Sequence, residues 1–269
     1  MDTKYLERDG GRLAYDDTGG TGPLVVCAPG MGDVRGVYRF LTPRLVAAGY
    51  RVVTMDIRGH GETTAGWADY SPAAVGDDLV ALLRQLDAGP AVLVGESFTP
   101  ASAIWAAAEA PELVAGVVLC APFATTPKPN LAIRALAGVV GRVPGLWVRF
   151  YRTLYPTAPP PDLPAYLAAL RANLAEPGRM AALRAMMREP KERCNERIGE
   201  LRCPVLIVMG SADPDFPDPA AEAHQLAGGA AGATVVMVEG AGHYPPAEMP
   251  EQTAAAVIPF VATATAAAG

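Results

Sequence analysis

Five short apolar runs recur along this chain: Leu24-Val25-Val26-Cys27, Arg51-Val52-Val53-Thr54-Met55, Ala91-Val92-Leu93-Val94, Gly116-Val117-Val118-Leu119-Cys120 and Val205-Leu206-Ile207-Val208-Met209. The first has no polar residue at alternate positions, as expected of a strand buried on both faces. Between the runs lie segments with helical spacing. One is predicted near Tyr38 to Ala48. A second spans Pro72 to Leu86, with apolar residues at Val75, Leu79, Leu82 and Leu83, and a third runs from Pro100 to Ala110. Strand, helix and strand in alternation predict a mostly parallel sheet with helices on both faces. Ahead of it, Lys4 to Arg8 and Arg12 to Tyr15 flank Asp9-Gly10-Gly11, a hairpin signal.

The alternation stops between Pro122 and Arg202. That stretch carries Pro127, Pro129, Pro144, Pro156 and the run Pro159-Pro160-Pro161. Helical segments are predicted between the prolines: Leu131 to Val140, Leu146 to Tyr155, Leu163 to Leu174, Arg179 to Arg188 and Glu192 to Leu201. We read residues 1–121 and 203–269 as one α/β core and residues 122–202 as a helical cap inserted into it. After the cap come a helix near Ala220 to Leu226, a strand from Ala233 to Val238 and a last helix from Glu251 to Ala262. The alanine- and threonine-rich tail is expected to fray.

The chain's 269 residues suit one large domain. Its net charge of −6 and its lack of any Lys/Arg run argue against a nucleic-acid partner. No stretch approaches ~20 uninterrupted apolar residues, and the first residues lack an apolar signal region, so a cytoplasmic protein without a membrane span is expected. Cys27, Cys120, Cys194 and Cys203 show no metal-ligand spacing. The sequence fixes no oligomeric state.

The candidate chemistry starts at Ser97. The run Val94-Gly95-Glu96-Ser97-Phe98-Thr99 follows an apolar strand and precedes an alanine-rich helix, the pattern of a nucleophile elbow. A serine needs a base, and the base needs an orienting carboxylate. Of the three histidines, His224 falls in a polar helix, and His60 lies in the charged turn Asp56-Ile57-Arg58-Gly59-His60-Gly61, where a structural role is expected. His243 sits in Glu239-Gly240-Ala241-Gly242-His243-Tyr244-Pro245, a loop directly after a strand, where open α/β sheets build their sites. The carboxylate should also follow a strand. Asp213 in Gly210-Ser211-Ala212-Asp213-Pro214-Asp215 is the first choice, with Asp215 and Asp218 as alternatives. No acidic residue stands in Ala121-Pro122-Phe123-Ala124, directly after the strand ending at Cys120.

The order Ser97, Asp213, His243, together with Asp56-x-Arg58-Gly59-His60-Gly61, resembles the α/β-hydrolase superfamily over nearly the whole chain. The cap resembles that of the small esterase, C–C hydrolase and cofactor-free haloperoxidase branch. The resemblance implies an α/β-hydrolase fold, no metal or organic cofactor, and an oxyanion hole formed by the backbone N–H groups of Phe98 and Met31. Two residues depart from the family pattern. Pro29 replaces a usual histidine in Ala28-Pro29-Gly30-Met31, and Thr99 replaces the last glycine of Gly-x-Ser-x-Gly. Thr99 must displace a neighbour or turn its hydroxyl toward the pocket. Glu96 is free to be solvated or to hydrogen-bond beneath the site.

A serine nucleophile points to acyl chemistry, and the apolar cap points to a small or medium, mostly hydrophobic ester. Gly30, Trp147, Tyr151 and Met186 are the expected pocket residues. Arg35 is the one charged candidate for a substrate's polar end. The same triad could serve thioester or C–C hydrolysis or acyl transfer, and the fold could also serve a ligand-binding protein with little turnover.

Overall fold

The computed structural model describes residues 2–126 and 130–268; Pro127 and Pro129, counted above among the insertion's prolines, lie outside them. The strands are β1 (Lys4–Arg8), β2 (Gly11–Asp17), β3 (Leu24–Ala28), β4 (Arg51–Met55), β5 (Ala91–Glu96), β6 (Val114–Cys120), β7 (Val205–Gly210) and β8 (Thr234–Val238). They form one sheet in the order β1-β2-β4-β3-β5-β6-β7-β8. β1 pairs antiparallel with β2, and β2 antiparallel with β4; every later pairing is parallel. Helices α1 (Leu41–Ala47), α2 (Pro72–Leu86) and α3 (Thr99–Glu109) connect the first strands. The expected Tyr38 to Ala48 helix is shorter, because Arg35–Arg39 winds as a 3-10 turn first.

Strand periodicity divides the core. Val26, Leu93, Val117 and Ile207 face one way and pack with Leu79 and Leu82 of α2 and Ile104 of α3. Their neighbours Val25, Val92, Val118 and Leu206 face the other way, against Leu41 and Leu45 of α1. Both faces are covered, which is why these runs are apolar throughout.

Between β6 and β7 come α4 (Leu131–Val140), α5 (Pro144–Thr153), α6 (Leu163–Leu174), α7 (Arg179–Met186) and the short α8 (Glu192–Asn195). After β7 follow α9 (Pro219–Ala227), β8, the short α10 (Pro245–Glu248) and α11 (Pro250–Ala268). The tail expected to fray is helical to Ala268, because Val257, Val261 and Ala264 form a buried stripe packed with the sheet core. That burial outweighs the weak end-propensity of an alanine–threonine segment. Among the described residues, no single helix is long and apolar enough to cross a membrane.

Candidate active site

β5 delivers Ser97 on a forced turn. Its φ is +60°, a left-handed conformation that costs a non-glycine residue energy. The turn is held because the Ser97 N–H donates to the Cys120 carbonyl at 2.9 Å. Gly95 cannot carry a side chain, since a Cβ there would lie 2.7 Å from the Pro100 nitrogen and the Thr99 carbonyl carbon. Thr99 takes neither course expected of it. Its hydroxyl turns inward, donates to the Ala28 carbonyl (2.8 Å) and accepts the Glu96 N–H (2.8 Å), stitching β3 to β5 under the elbow.

The structure brings all three candidate residues together. His243 Nε2 lies 2.8 Å from Ser97 Oγ, and His243 Nδ1 lies 2.8 Å from Asp213 Oδ2. Ser97, His243 and Asp213 are all buried. Of the alternatives, Asp215 stands farther off, at 3.7 Å from Nδ1, and its N–H donates to Asp213 Oδ1. Asp218 caps α9 by accepting the Ala221 N–H. Burial alone would push the His243 imidazolium toward neutrality. The facing charge and hydrogen bond of Asp213, with Asp215 behind, outweigh it and hold His243 above the ordinary imidazole range. Asp213, Asp215 and His243 also bring ligand-capable atoms within 4.8 Å of one another, but the Asp213 bond already engages Nδ1.

Sequence reading missed what fixes the base loop. The His243 N–H donates to the Leu154 carbonyl at 3.0 Å. Buried Glu248 on α10 accepts the Gly242 N–H at 2.7 Å and the Ala158 N–H at 2.9 Å. Phe123 and Phe216 pack on each other at 4.7 Å and cover the imidazole at 5.8 and 6.4 Å. The run of small residues after Cys120 hid Phe123, and nothing in the local pattern singled out Glu248.

Beside Ser97 lies the loop Gly30 to Asp33. A Cβ on Gly30 would come within 3.0 Å of Ser97 Cβ, so only glycine lets the loop approach the serine. His60 supplies the anchor that Pro29 cannot. Its Nε2 accepts the Gly32 N–H at 2.9 Å, while Nδ1 donates to the Arg58 carbonyl at 2.8 Å. This arrangement needs a neutral ring, and burial pushes the His60 pKa down to about 4. The insertion holds the same loop from the other side. Trp147 donates its indole N–H to the Gly32 carbonyl (2.8 Å), Tyr151 donates to Asp33 Oδ2 (2.8 Å), and Tyr166 donates to Asp33 Oδ1. Asp33 is buried, which raises its carboxyl to about 6 against the opposing pull of the two tyrosine hydroxyls.

Trp147 and Tyr151 spend their polar atoms on this loop, and Met186 is fully buried in the core cluster that contains Phe98. Met31 is partly buried and packs against both core clusters. Arg35 does not reach toward the site: it is bound by Asp16 at 2.8 Å and by Asp56 and Glu62. Glu96 is neither solvated nor bonded. It is fully buried, neither carboxyl oxygen has a hydrogen-bond partner among the described residues, and burial raises its pKa well above the ordinary range.

A strained serine after the central strand, facing an imidazole and a carboxylate at the ends of later strands, defines a hydrolase built on an α/β sheet. Residues 25–256 match the Alpha/beta hydrolase family, and the chain belongs to it. An esterase from Thermogutta terrifontis is similar in structure, with a TM-score of 0.80 and 26% identity over 98% of this chain and 99% of that one. A bromoperoxidase from Bacillus anthracis shares the fold, with a TM-score of 0.84 and 20% identity over 97% of this chain and 100% of that one. An uncharacterized protein of Mycobacterium tuberculosis is 27% identical over 253 residues, 84% of this chain and 71% of that protein. The chain is a hydrolase enzyme of this family, one that acts on small molecules.

Proposed function

We propose that the protein is a serine hydrolase that cleaves a small or medium, mostly apolar carboxylic ester through an acyl-enzyme. The observation that carries this reading is the unbroken relay from Asp213 Oδ2 through His243 to Ser97 Oγ, with both contacts at 2.8 Å. Neutral His243 accepts the Ser97 proton at Nε2 as Oγ attacks the ester carbonyl carbon. Asp213 fixes the tautomer and stabilises the imidazolium. The Met31 and Phe98 N–H groups receive the oxyanion, aided by the positive end of α3. His243 then protonates the leaving alkoxide. Water, deprotonated by His243, attacks the acyl-enzyme and releases the acid.

Residues 122–202 act as a cap over this site, with residues 1–121 and 203–269 as the body. The cap's contribution to the chemistry is positional: Trp147, Tyr151 and Tyr166 hold the loop that presents the Met31 N–H. The test is turnover of a chain-length series of p-nitrophenyl esters by wild type beside Ser97→Ala. Turnover that disappears in the variant, with an optimum at short or medium acyl chains, supports the reading. Equal turnover by both proteins refutes it.

A further inference from the structure

One lysine of the insertion is buried and, among the described residues, has no acidic side chain paired with it. Lys191, immediately before α8, is 5% exposed. Among the described residues it forms no salt bridge. The acidic group that acts on it is its chain neighbour Glu192, whose carboxylate turns away to accept the Thr126 hydroxyl at 2.6 Å and the Thr126 N–H at 3.1 Å. The Lys191 ammonium lies 5.5 Å from the centre of the Phe98 ring and 5.2 Å from that of Phe123. Phe98 directly follows Ser97, and Phe123 lies against His243 at 5.8 Å. The ammonium therefore lies against two aromatic residues, one next to the nucleophile in the chain and one packed near the base.

A buried ammonium is costly, and ring faces offset only part of that cost. A methionine would fill the same space without desolvating a charge. Packing alone gives no reason for lysine here. A substrate anion does, and the reason rests on the acyl-enzyme reading above.

We propose that Lys191 binds a carboxylate carried by the substrate, so that the ester is a monoanion with its scissile carbonyl at Ser97 and its charge at Lys191. Two features favour a carboxylate over a phosphate. A single ammonium is a compact point charge rather than the fork that clamps a doubly charged group. Asp213 and Asp215, on the far side of His243, oppose a second negative charge.

The test compares p-nitrophenyl butyrate with the mono-p-nitrophenyl ester of glutarate. Lys191→Met should lower kcat/KM for the anionic ester by roughly 10- to 100-fold, the range for a lost charged hydrogen bond, and leave the neutral ester within about 3-fold. Equal losses on both esters, or none on either, overturn the proposal. Lys191→Gln serves if the methionine variant does not fold. A binding arm needs no turnover: monomethyl glutarate, a monoanion, is titrated calorimetrically into Ser97→Ala and into Ser97→Ala carrying Lys191→Met. Affinity that weakens about tenfold or more with the second change supports the anion site even if the acyl-enzyme reading fails. Affinity indifferent to Lys191 overturns it.

Discussion

The two sides of the site are held in different ways. On the acid–base side, Ser97 and Asp213 follow the ends of β5 and β7 closely, so hydrogen-bonded strands set their positions, while His243 sits five residues past β8 in a loop held by the Leu154 carbonyl and Glu248. On the oxyanion side, Gly30 to Asp33 also follow a strand, but side chains from elsewhere hold them: His60 from one turn, Trp147 and Tyr151 from α5, and Tyr166 from α6. The nucleophile and the acid are placed by the sheet. The loop beside Ser97 takes three of its four pins from residues 122–202. A sheet-borne group keeps its place through local changes; a loop pinned by four side chains loses its geometry one pin at a time. In the proposed mechanism this loop presents an oxyanion donor, so that is where changes in residues 122–202 should reach the chemistry.

Changes on the two sides should differ in kind. On the sheet side, Asp213→Asn should cut kcat by roughly 10³- to 10⁴-fold through loss of the imidazole's orientation. Asp215→Asn should cost less than about tenfold, since that carboxylate stands 3.7 Å from Nδ1. The reverse ranking in steady-state kinetics would place the acid at Asp215. On the loop side, Trp147→Phe keeps the ring but frees the Gly32 carbonyl. It should lower kcat by about 10- to 100-fold, below the ~10²–10³ of a deleted oxyanion donor, with KM changed far less. A rise in KM at constant kcat would mean that the insertion only binds substrate.

His60→Ala bridges the two regions. Leaving the buried Gly32 N–H without an acceptor should cost about 1–3 kcal/mol in stability, visible in urea denaturation, and should lower kcat as well. Loss of stability with full activity would confine His60 to folding. The wild-type pH dependence follows from the same residue. The folded protein resists protonating His60 down to about 4, while the unfolded chain takes the proton near the ordinary value of 6.5. The unfolded state therefore binds more protons in that window, and His60's contribution makes stability fall as pH drops from about 6.5 toward 4.

Catalysis should show the opposite displacement. His243 works only when neutral and its pKa is raised, so the acid limb of kcat/KM should rise above pH 6.5. A limb below 6.5 in a pH–rate profile would contradict the Asp213 pairing. The smallest effect belongs to Glu96→Gln. A carboxyl already held neutral by burial loses no charge, so activity should stay within about 3-fold and the acid limb should not move. A shifted limb would show that Glu96 is ionised beneath the triad.

The two sides also differ in how far the sequence reveals them. Apolar runs ending in Gly-x-Ser, in Gly-x-x-Asp and in Gly-x-Gly-His locate the sheet-borne residues, because strand periodicity and strand-end loops are local properties. The pins on the oxyanion loop join residues far apart in the chain: Trp147 lies 115 positions from Gly32, and Tyr166 lies 133 from Asp33. Helical spacing marks Trp147 and Tyr151 as inward-facing but says nothing of which polar atom they meet. Thr99 shows the same limit. A β-branched residue in a glycine position reads as a packing fault, yet its hydroxyl closes two backbone bonds at once. Lys191 was silent for a related reason, since its burial depends on Phe98 and Phe123 arriving from two other segments.

The proposed chemistry depends on Ser97 as its activated nucleophile. Its most direct test is reaction of the intact protein with a serine-reactive phosphonate, followed by peptide mass spectrometry to locate the adduct. A single adduct on Ser97, absent when His243→Ala removes the base, is the expected result. An adduct on another residue, or none on the folded protein, would contradict the account.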